Sequence, residues 1–278
     1  MANPDRSASR SDVRPLADCT VLAIFAHPDD ESLACGGTLA RLSDAGARVV
    51  LLCASRGEAG SISEPALVPD GDLGRVRTSE LREAAAILGI AEVIVLDHPD
   101  GDLRWDHVPE LHDEIVTLVN KYTPDAVITF AEDGLYWHLD HIGVHERTYT
   151  ALRSLGDQAP PLYYVTMEKG TMQRVAEAAR AKGGAPSDSS FWGIAPDAFG
   201  DEAAAPTLTV DVRDWAPRKL AALRCHRTQM GRNNPIAWIN DDEARHYLGI
   251  EYFRRAPIGG TDRALLEQLG DRYAARNA

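Results

Sequence analysis

The chain has 278 residues, of which 44% are hydrophobic and 26% charged, a composition typical of a globular protein with a substantial core. Its formal net charge of −13 and its lack of a basic run argue against a nucleic-acid partner, since phosphate backbones require clustered Lys and Arg. No apolar run approaches the roughly 18–20 residues of a membrane span, and the polar N-terminus lacks a secretory signal, so we expect a cytoplasmic protein without a membrane partner.

The first elements predict a strand–helix–strand unit. Residues 20–25 form a short apolar run that is typical of a buried strand. A helix fits residues 34–46, and residues 48–53 form a second buried strand. This order implies parallel pairing with a right-handed crossover. We interpret residues 1–18 as a disordered tail that precedes one domain, residues 19–278.

The same pattern repeats further along the chain. A helix over residues 76–88 leads to a strand over 92–96, and a helix over 109–121 leads to a strand over 125–130. We therefore predict an α/β fold with a Rossmann-like, open, mostly parallel sheet, helices on both faces and a single domain. Later segments predict a strand over 161–166, helices over 172–182 and 216–227, and a flexible surface segment over about 183–205.

Polar loops follow three of the predicted strands. They cover residues 27–32, 97–102 and 131–141. In an open parallel sheet, the loops at the carboxyl ends of the strands meet at the ligand crevice. The sequence therefore predicts that these three loops form one functional site.

The first loop reads His-Pro-Asp-Asp-Glu-Ser from His27 onward. Three carboxylates held close together in one loop repel one another unless a cation or a proton lies between them. Zn²⁺ accepts both imidazole and carboxylate ligands, which leaves one carboxylate free to act as a base toward water. Alone, the loop is equally compatible with a polar turn and helix cap, for which Pro28 and Asp29 are typical residues.

The third loop contains a second cluster, Trp-His-Leu-Asp-His from Trp137 onward. His138 and His141 provide a metal ligand and a separate proton donor. We expect Asp140 to accept a ring N–H from His138 and so fix its tautomer. Because both clusters lie at strand ends of one predicted sheet, the sequence favours a metal site over a polar turn.

These two clusters together resemble the LmbE-like (PIG-L) zinc-dependent N-deacetylase superfamily, over about residues 20–229. The resemblance implies one zinc ion per chain, with Fe²⁺ or Co²⁺ as open alternatives. It implies the metal ligands His27, Asp30 and His141. It also implies Asp29 as general base, and His138 with its partner Asp140 as the groups that assist the tetrahedral intermediate.

Further positions match the same family. Tyr136 corresponds to a tyrosine near the substrate carbonyl, although a packed loop aromatic fits the sequence equally well. The resemblance implies that Arg77, Asp100 and Glu58 bind the substrate, which suits the forked guanidinium and carboxylate recognition of sugar hydroxyls. Without the resemblance, Arg77 and Glu80 read as an i,i+3 surface pair on a helix.

The predicted function is hydrolysis of the N-acetyl or other N-acyl group of a GlcNAc-type amino sugar or sugar-containing metabolite, with release of acetate and a free amine. Within enzymes, an amidase of the mycothiol-conjugate type and a deacylase of an antibiotic intermediate remain open. Two non-enzymatic alternatives are an inactive metal-binding relative and a nucleotide-binding Rossmann domain, although the first strand is followed by acidic residues in place of G-x-G-x-x-G. The expected partner is a small molecule, and the sequence leaves homo-oligomerisation open.

Overall fold

A single eight-stranded sheet organises the computed structural model, which describes residues 16–105, 108–183, 190–200, 205–260 and 264–272. The strands run in the order β3-β2-β1-β4-β5-β7-β6-β8. The first five of these pair in parallel, whereas β7, β6 and β8 add antiparallel pairs at one edge. The strands are β1 Thr20–Phe25, β2 Arg48–Cys53, β3 Glu92–Val95, β4 Ala126–Phe130, β5 Leu162–Thr166, β6 Leu208–Asp211, β7 Ile250–Arg255 and β8 Asp271–Arg272.

Five of the described helices pack together in two groups. The first group joins α1, α2 and α7, which pack on one another, and the second joins α3 and α5. The α helices are α1 Asp30–Asp44, α2 Leu73–Leu88, α3 Val108–Tyr122, α4 Gly134–Trp137, α5 Leu139–Ser154, α6 Thr171–Ala181, α7 Ala216–Cys225, α8 Asp241–Tyr247 and α9 Leu265–Leu269. The predicted mostly parallel α/β sheet is thereby confirmed. None of the described helices is long and apolar enough to cross a membrane.

The predicted parallel core agrees closely with the structure. β1 and β2 begin and end at the predicted residues, and the other predicted strands and helices differ mainly at their ends. The helix predicted to begin at residue 34 instead begins at Asp30, so half of the first polar loop is the first turn of α1. Strands β6, β7 and β8 and helices α4, α5, α8 and α9 were not predicted, and neither was the pairing of β7 with β5.

The segment predicted to be flexible, residues 183–205, contains two buried aromatic side chains where it is described. Phe191 and Phe199 are fully buried and pack in a second apolar cluster with residues of α6 and α7. The segment is otherwise rich in small and polar residues, so its sequence did not predict that these two aromatic side chains are buried. Residues 184–189 and 201–204 of this segment lie outside the described residues, as do residues 1–15 of the predicted tail. Leu16, also assigned to that tail, is buried against the core.

Candidate active site

The three polar loops meet at the carboxyl ends of the parallel strands, as predicted. They enclose a cavity of about 280 Å³, called the site cavity below. Its polar lining includes His27, Asp29, Asp30, Arg77, Asp100, His138 and Gln229, and its other lining residues include Leu33, Tyr136, Trp192 and Ile194. Nearly all of the predicted site residues are therefore neighbours in space, although they span more than 110 positions of the chain.

Three potential metal-ligand atoms face one another in the site: a ring nitrogen of His27, a ring nitrogen of His141 and a carboxylate oxygen of Asp30. His27 Nδ1 lies 3.3 Å from His141 Nε2 and 3.4 Å from the Asp30 carboxylate, which in turn lies 3.1 Å from His141 Nε2. Ligand atoms about 2.0–2.1 Å from a tetrahedral metal are about 3.3 Å apart. The three side chains are buried at this spacing, so they fit a small divalent cation.

In the rings of His27 and His141, the nitrogen that faces away from the three clustered ligand atoms is also hydrogen-bonded. His27 Nε2 donates to Asp100 and Asp140 at 3.0 and 3.1 Å, and His141 Nδ1 lies 3.0 Å from the Gly134 carbonyl oxygen. Such contacts fix the orientation and tautomer of metal-binding imidazoles. The structure therefore corrects the predicted partner of Asp140, whose carboxylate contacts the ring of His27 instead of that of His138.

The charges around His27 also favour a cation. Burial on its own lowers the pKa of His27, yet hydrogen bonds with Asp100, Asp140 and Asp30 hold it well above its usual range. Burial likewise raises the pKa of Asp30, but the neighbouring His141 and His27 hold it well below its usual value. The carboxylates thus remain ionised and require positive charge between them, which either a proton or a metal ion supplies.

In the described part of the chain, two other groups of side chains also bring ligand atoms within 4.8 Å of one another. One is His27, His138 and His141, and the other is His27, Asp100 and Asp140. In the second group, Asp100 and Asp140 contact His27 Nε2, the nitrogen that faces away from His141 and Asp30. Carboxylates in this position typically hold a metal-binding imidazole in place and do not themselves bind the metal. Among the residues that the structure describes, His138 is therefore the competing ligand for the position that Asp30 occupies.

Asp29 has a strained backbone and an unusually basic carboxylate. Its φ of 117° lies in the left-handed region, which residues other than glycine seldom adopt and which is often found at functional sites. Burial, together with the charge of Asp30, raises its pKa from 3.8 to about 6, against the opposing charge of Arg77. A carboxylate with this pKa, placed in the wall of the site cavity, suits a general base.

The Arg77 side chain is buried and forms hydrogen bonds with the loop that carries Asp29 and with the loop after β2. It is only 4% exposed and donates to the carbonyl oxygens of Gly57 and Pro28 at 2.8 and 2.7 Å and to the Asp29 carboxylate at 3.2 Å. Gly57 has a φ of 67°, and a Cβ there would lie 2.4 Å from the Arg77 guanidinium, so glycine is required for this close approach. The surface-pair reading of Arg77 with Glu80 is therefore wrong.

Glu31 and His226 form a buried pair whose function the sequence did not reveal. The Glu31 carboxylate accepts hydrogen bonds from the Asp29 backbone N–H at 3.0 Å, the Ser32 hydroxyl at 2.5 Å and His226 Nε2 at 3.0 Å. The pair therefore holds the strained peptide of Asp29 in place. The residues are 195 positions apart, so the tertiary structure is needed to link Glu31 of the acid-rich motif with His226.

The ring of His138 lies beside those of His27 and His141, and one of its nitrogens already accepts a hydrogen bond from the backbone. Its Nδ1 accepts a 3.3 Å hydrogen bond from the Asp140 backbone N–H, so that the ring caps the first turn of α5. Burial and the charges of His141 and His27 lower its pKa to about 4. A neutral ring in this arrangement carries its proton on Nε2 and can donate it to a ligand.

The remaining predicted residues lie at the rim. Tyr136 lines the site cavity, and its half-buried ring contacts His138, His141 and Phe199. Glu58 is exposed and does not line the site cavity; its carboxylate accepts a hydrogen bond from the Asp100 backbone N–H at 3.0 Å.

Comparison with known protein families and sequences points to deacetylases. Residues 22–152 match the family model PIG-L, described as GlcNAc-PI de-N-acetylase. The chain is 32% identical over 272 residues to the 1D-myo-inositol 2-acetamido-2-deoxy-alpha-D-glucopyranoside deacetylase of Thermobispora bispora. That alignment covers 86% of this chain and 88% of the relative.

Solved structures share the fold. The N,N'-diacetylchitobiose deacetylase of Pyrococcus horikoshii superposes with a TM-score of 0.57 at 24% identity, covering 86% of this chain and 84% of that one. The 4-carboxy-2-hydroxymuconate hydratase GalB of Pseudomonas putida gives a TM-score of 0.60 at 18% identity, covering 88% and 98%. Because one fold carries both a deacetylase and a hydratase, the superpositions establish architecture alone.

Proposed function

The chain belongs to the PIG-L family of de-N-acetylases, and from this premise we propose that it removes the N-acetyl group of a GlcNAc-type amino sugar, releasing acetate and a free amine. It is a hydrolase that cleaves a linear amide. The observation that carries the assignment is the buried group His27, Asp30 and His141 beside the carboxylate of Asp29 in one cavity.

We propose that His27, Asp30 and His141 hold one divalent ion, and that this ion is Zn²⁺. Two imidazoles and one carboxylate are ligands that zinc accepts, and three protein ligands leave a position open, as in catalytic zinc sites. Fe²⁺ and Co²⁺ accept the same donors and are alternatives. When bound, the cation supplies Lewis-acid polarisation of the amide carbonyl and lowers the pKa of water.

Asp29 is the proposed general base. Its carboxylate accepts a proton from water as the oxygen attacks the amide carbon. Arg77 orients this carboxylate through the 3.2 Å contact, and the Glu31–His226 pair holds its backbone. Burial keeps the pKa of Asp29 high enough for it to accept a proton at neutral pH, while its neighbours keep it in one orientation.

His138 is the proposed donor to the oxygen that becomes negative during the attack. Its Nε2 proton is available because Nδ1 accepts from the Asp140 backbone, and a donor of this kind typically contributes about 3 kcal/mol to the transition state. We propose Tyr136 as a second polar group near the same oxygen. Asp29, once it holds the proton taken from water, is the proposed donor to the leaving amine, because neutral His138 would have to become an anion to give up its remaining proton.

For the substrate, the names of the similar proteins indicate the chemical class. The Thermobispora bispora relative is named for an inositol glycoside of N-acetylglucosamine, and the Pyrococcus horikoshii enzyme for a disaccharide of N-acetylated sugars. We propose that Arg77 and Asp100, which line the site cavity, face the hydroxyls of the sugar ring. Glu58 is proposed to act at the rim, where it holds the peptide of Asp100.

The test is release of acetate by the zinc-loaded protein from GlcNAc-inositol, N,N'-diacetylchitobiose and GlcNAc. We expect acetate and the free amine in equal amounts from at least one of these sugars, and loss of release after chelation of the metal. S-conjugates of a thiol sugar with a larger N-acyl group test the alternative amidase activity. Turnover of the conjugates in the absence of acetate release from any sugar would overturn the deacetylase assignment in favour of the amidase.

Replacement of Asp140 by asparagine is expected to weaken metal binding about 10–100-fold, the usual effect of removing a carboxylate partner from a ligand imidazole. Asp140 holds the Nε2 proton of His27 and also accepts from the Gly101 and Leu103 backbone N–H groups. Competition with a chromophoric chelator measures the affinity. An unchanged affinity would show that Asp140 does not orient a ligand.

A further inference from the structure

A buried ion pair contacts the middle of helix α1. Lys219 Nζ, on α7, donates to the Glu251 carboxylate, on β7, at 2.7 Å, and both residues are only 3% exposed. The same carboxylate accepts hydrogen bonds from the backbone N–H groups of Gly37 at 2.9 Å and Thr38 at 2.7 Å. Desolvation makes a buried ion pair a weak source of net stability on its own. Its contacts with the α1 backbone therefore indicate what the pair does in the fold.

The pair meets α1 where the helix is interrupted. Cys35 has a φ of −150° and a ψ of 27°, far from helical values, so α1 consists of a first part, residues 30–34, and a second part, residues 36–44. The first N–H groups of a helix have no partner within it. Glu251 accepts two such groups from the second part, as an N-cap side chain would, and its negative charge suits the positive end of the helix dipole. Glu251 thereby fixes where the second part begins.

The Glu251 carboxylate lies directly against the backbone of α1. A Cβ at Gly37 would lie 2.6 Å from a methyl carbon of Val212 and 3.1 Å from a carboxylate oxygen of Glu251, so this close contact requires glycine. The interruption at Cys35 is therefore held by the packing of α1 against the antiparallel edge of the sheet.

Helix α7 is linked to both parts of α1. Lys219 reaches the second part through Glu251, and His226, the C-cap of α7, donates to the Glu31 carboxylate in the first part at 3.0 Å. Seven residues separate Lys219 from His226, which is about two helical turns, so both side chains lie on the same face of α7. The two links therefore fix the angle between the two parts of α1.

That angle determines where the carboxylate of Asp30 lies. Asp30 is the first residue of α1, five positions before the interruption at Cys35. At about 1.5 Å per residue this distance is about 7.5 Å, so a rotation of about 5° at the interruption moves Asp30 by about 0.6 Å, more than the roughly 0.5 Å that a preorganised ligand tolerates. A small change at Cys35 is therefore large enough to disturb a metal site.

We propose that Lys219 and Glu251 are positioning residues for Asp30. Their ion pair fixes the interruption at Cys35 and, through it, the direction of the first part of α1. They act through the backbone of α1 and not by touching the metal or the substrate. This inference rests on the proposed function, in which Asp30 is a metal ligand.

The test measures zinc affinity, the visible absorption bands of bound Co²⁺, and Tm in Lys219→Met, Glu251→Gln and the double variant. Each single substitution leaves one buried charge without its partner and should lower Tm, whereas the double variant has no unpaired charge and should regain most of the loss. Glutamine offers one acceptor oxygen in place of two, so it cannot reproduce both bonds to the α1 backbone. We therefore expect the double variant to bind zinc about tenfold more weakly than the wild type, the lower end of the effect of removing a ligand's support, and to shift the Co²⁺ bands.

Arg218→Met is the matched control. Arg218 precedes Lys219 on α7 and pairs with Asp44 at the other end of α1, at 2.7 and 2.8 Å, so its loss removes a link between the same two helices beyond the interruption. This variant should keep the zinc affinity and the Co²⁺ bands of the wild type.

A double variant with wild-type zinc affinity and Co²⁺ bands would overturn the proposal, because Lys219 and Glu251 would then act on stability alone. An equal loss of affinity in Arg218→Met would overturn it as well, because any link between α1 and α7 would then suffice. His141→Ala separates this inference from the proposed function. If His141→Ala binds Co²⁺ as the wild type does, the proposed metal site is wrong and the inference falls with it. If His141→Ala binds none while the double variant matches the wild type, the inference alone is wrong.

Discussion

Replacement of Asp29 by asparagine is expected to lower kcat for acetate release by about 10²–10⁴-fold, the usual contribution of a positioned general base. Asparagine keeps the shape of the side chain and an oxygen that can accept from Arg77, but it cannot take a proton from water. It also tolerates a positive φ better than most residues, so the 117° backbone of this position is preserved.

Metal content separates this loss from a collapse of the site. Because His27, Asp30 and His141 are untouched, the variant should bind as much zinc as the wild type, as measured by mass spectrometry of the metal. Asp102→Asn, an exposed position in a neighbouring loop outside the site cavity, is the control. Near-normal turnover of the Asp29 variant would exclude Asp29 as the base, and loss of zinc would place it among the ligands.

Stability provides a second readout for the same substitution. Burial raises the pKa of Asp29 to about 6 in the folded protein, above the 3.8 of an exposed carboxyl. The folded state then holds the proton more tightly than the unfolded state, so this group's favourable contribution is complete below about pH 4 and is lost as pH rises through 6. The metal-free Asp29→Asn protein should therefore have a higher Tm than the metal-free wild type at pH 7, with the difference shrinking toward pH 4.

The parallel core and the cluster of polar loops could be predicted from the sequence because both depend on local pattern. The apolar run of β1 ends two residues before His27, and three such strand ends must meet at one edge of a parallel sheet. The antiparallel edge was harder to predict. Strand β7 carries polar and charged residues among its aromatics, and its pairing with β5 depends on contacts almost 90 residues distant.

The partner of Asp140 shows where local reasoning fails. His138 and Asp140 are two residues apart, which suggested a contact between their side chains. In the structure, His138 is the N-cap of α5, so its ring meets the backbone N–H of Asp140. The helical turn directs the Asp140 carboxylate away from His138 and toward His27, 113 positions earlier.

Arg77 and Glu80 illustrate a related limit. Their i,i+3 spacing correctly places them on one face of a helix, but the sequence does not say whether that face is exposed. Both are buried because α2 packs against α1 and α7, and each finds partners on other elements. Arg77 bonds to the loops after β1 and β2, whereas Glu80 bonds to Thr228 after α7.

Replacement of His141 by alanine is expected to remove zinc from the protein and, with it, acetate release at every substrate concentration. Its Nε2 lies 3.1 Å from Asp30 and 3.3 Å from His27 Nδ1, so its loss leaves two protein ligands for the ion. His145→Ala is a matched control on the same helix. His145 is also buried, and its Nδ1 also bonds to a carbonyl oxygen, that of Phe130 at 2.9 Å, so this control removes a buried imidazole that is not one of the proposed metal ligands.

His138→Ala distinguishes the two ligand sets that the geometry allows. If Asp30 is the third ligand, this variant keeps its zinc and loses only turnover, by roughly 10²–10³-fold, as expected for an oxyanion donor. Zinc content near zero in His138→Ala with full content in Asp30→Asn would instead assign the ion to His27, His138 and His141. Full zinc occupancy in His141→Ala would contradict both sets, because His141 belongs to each of them.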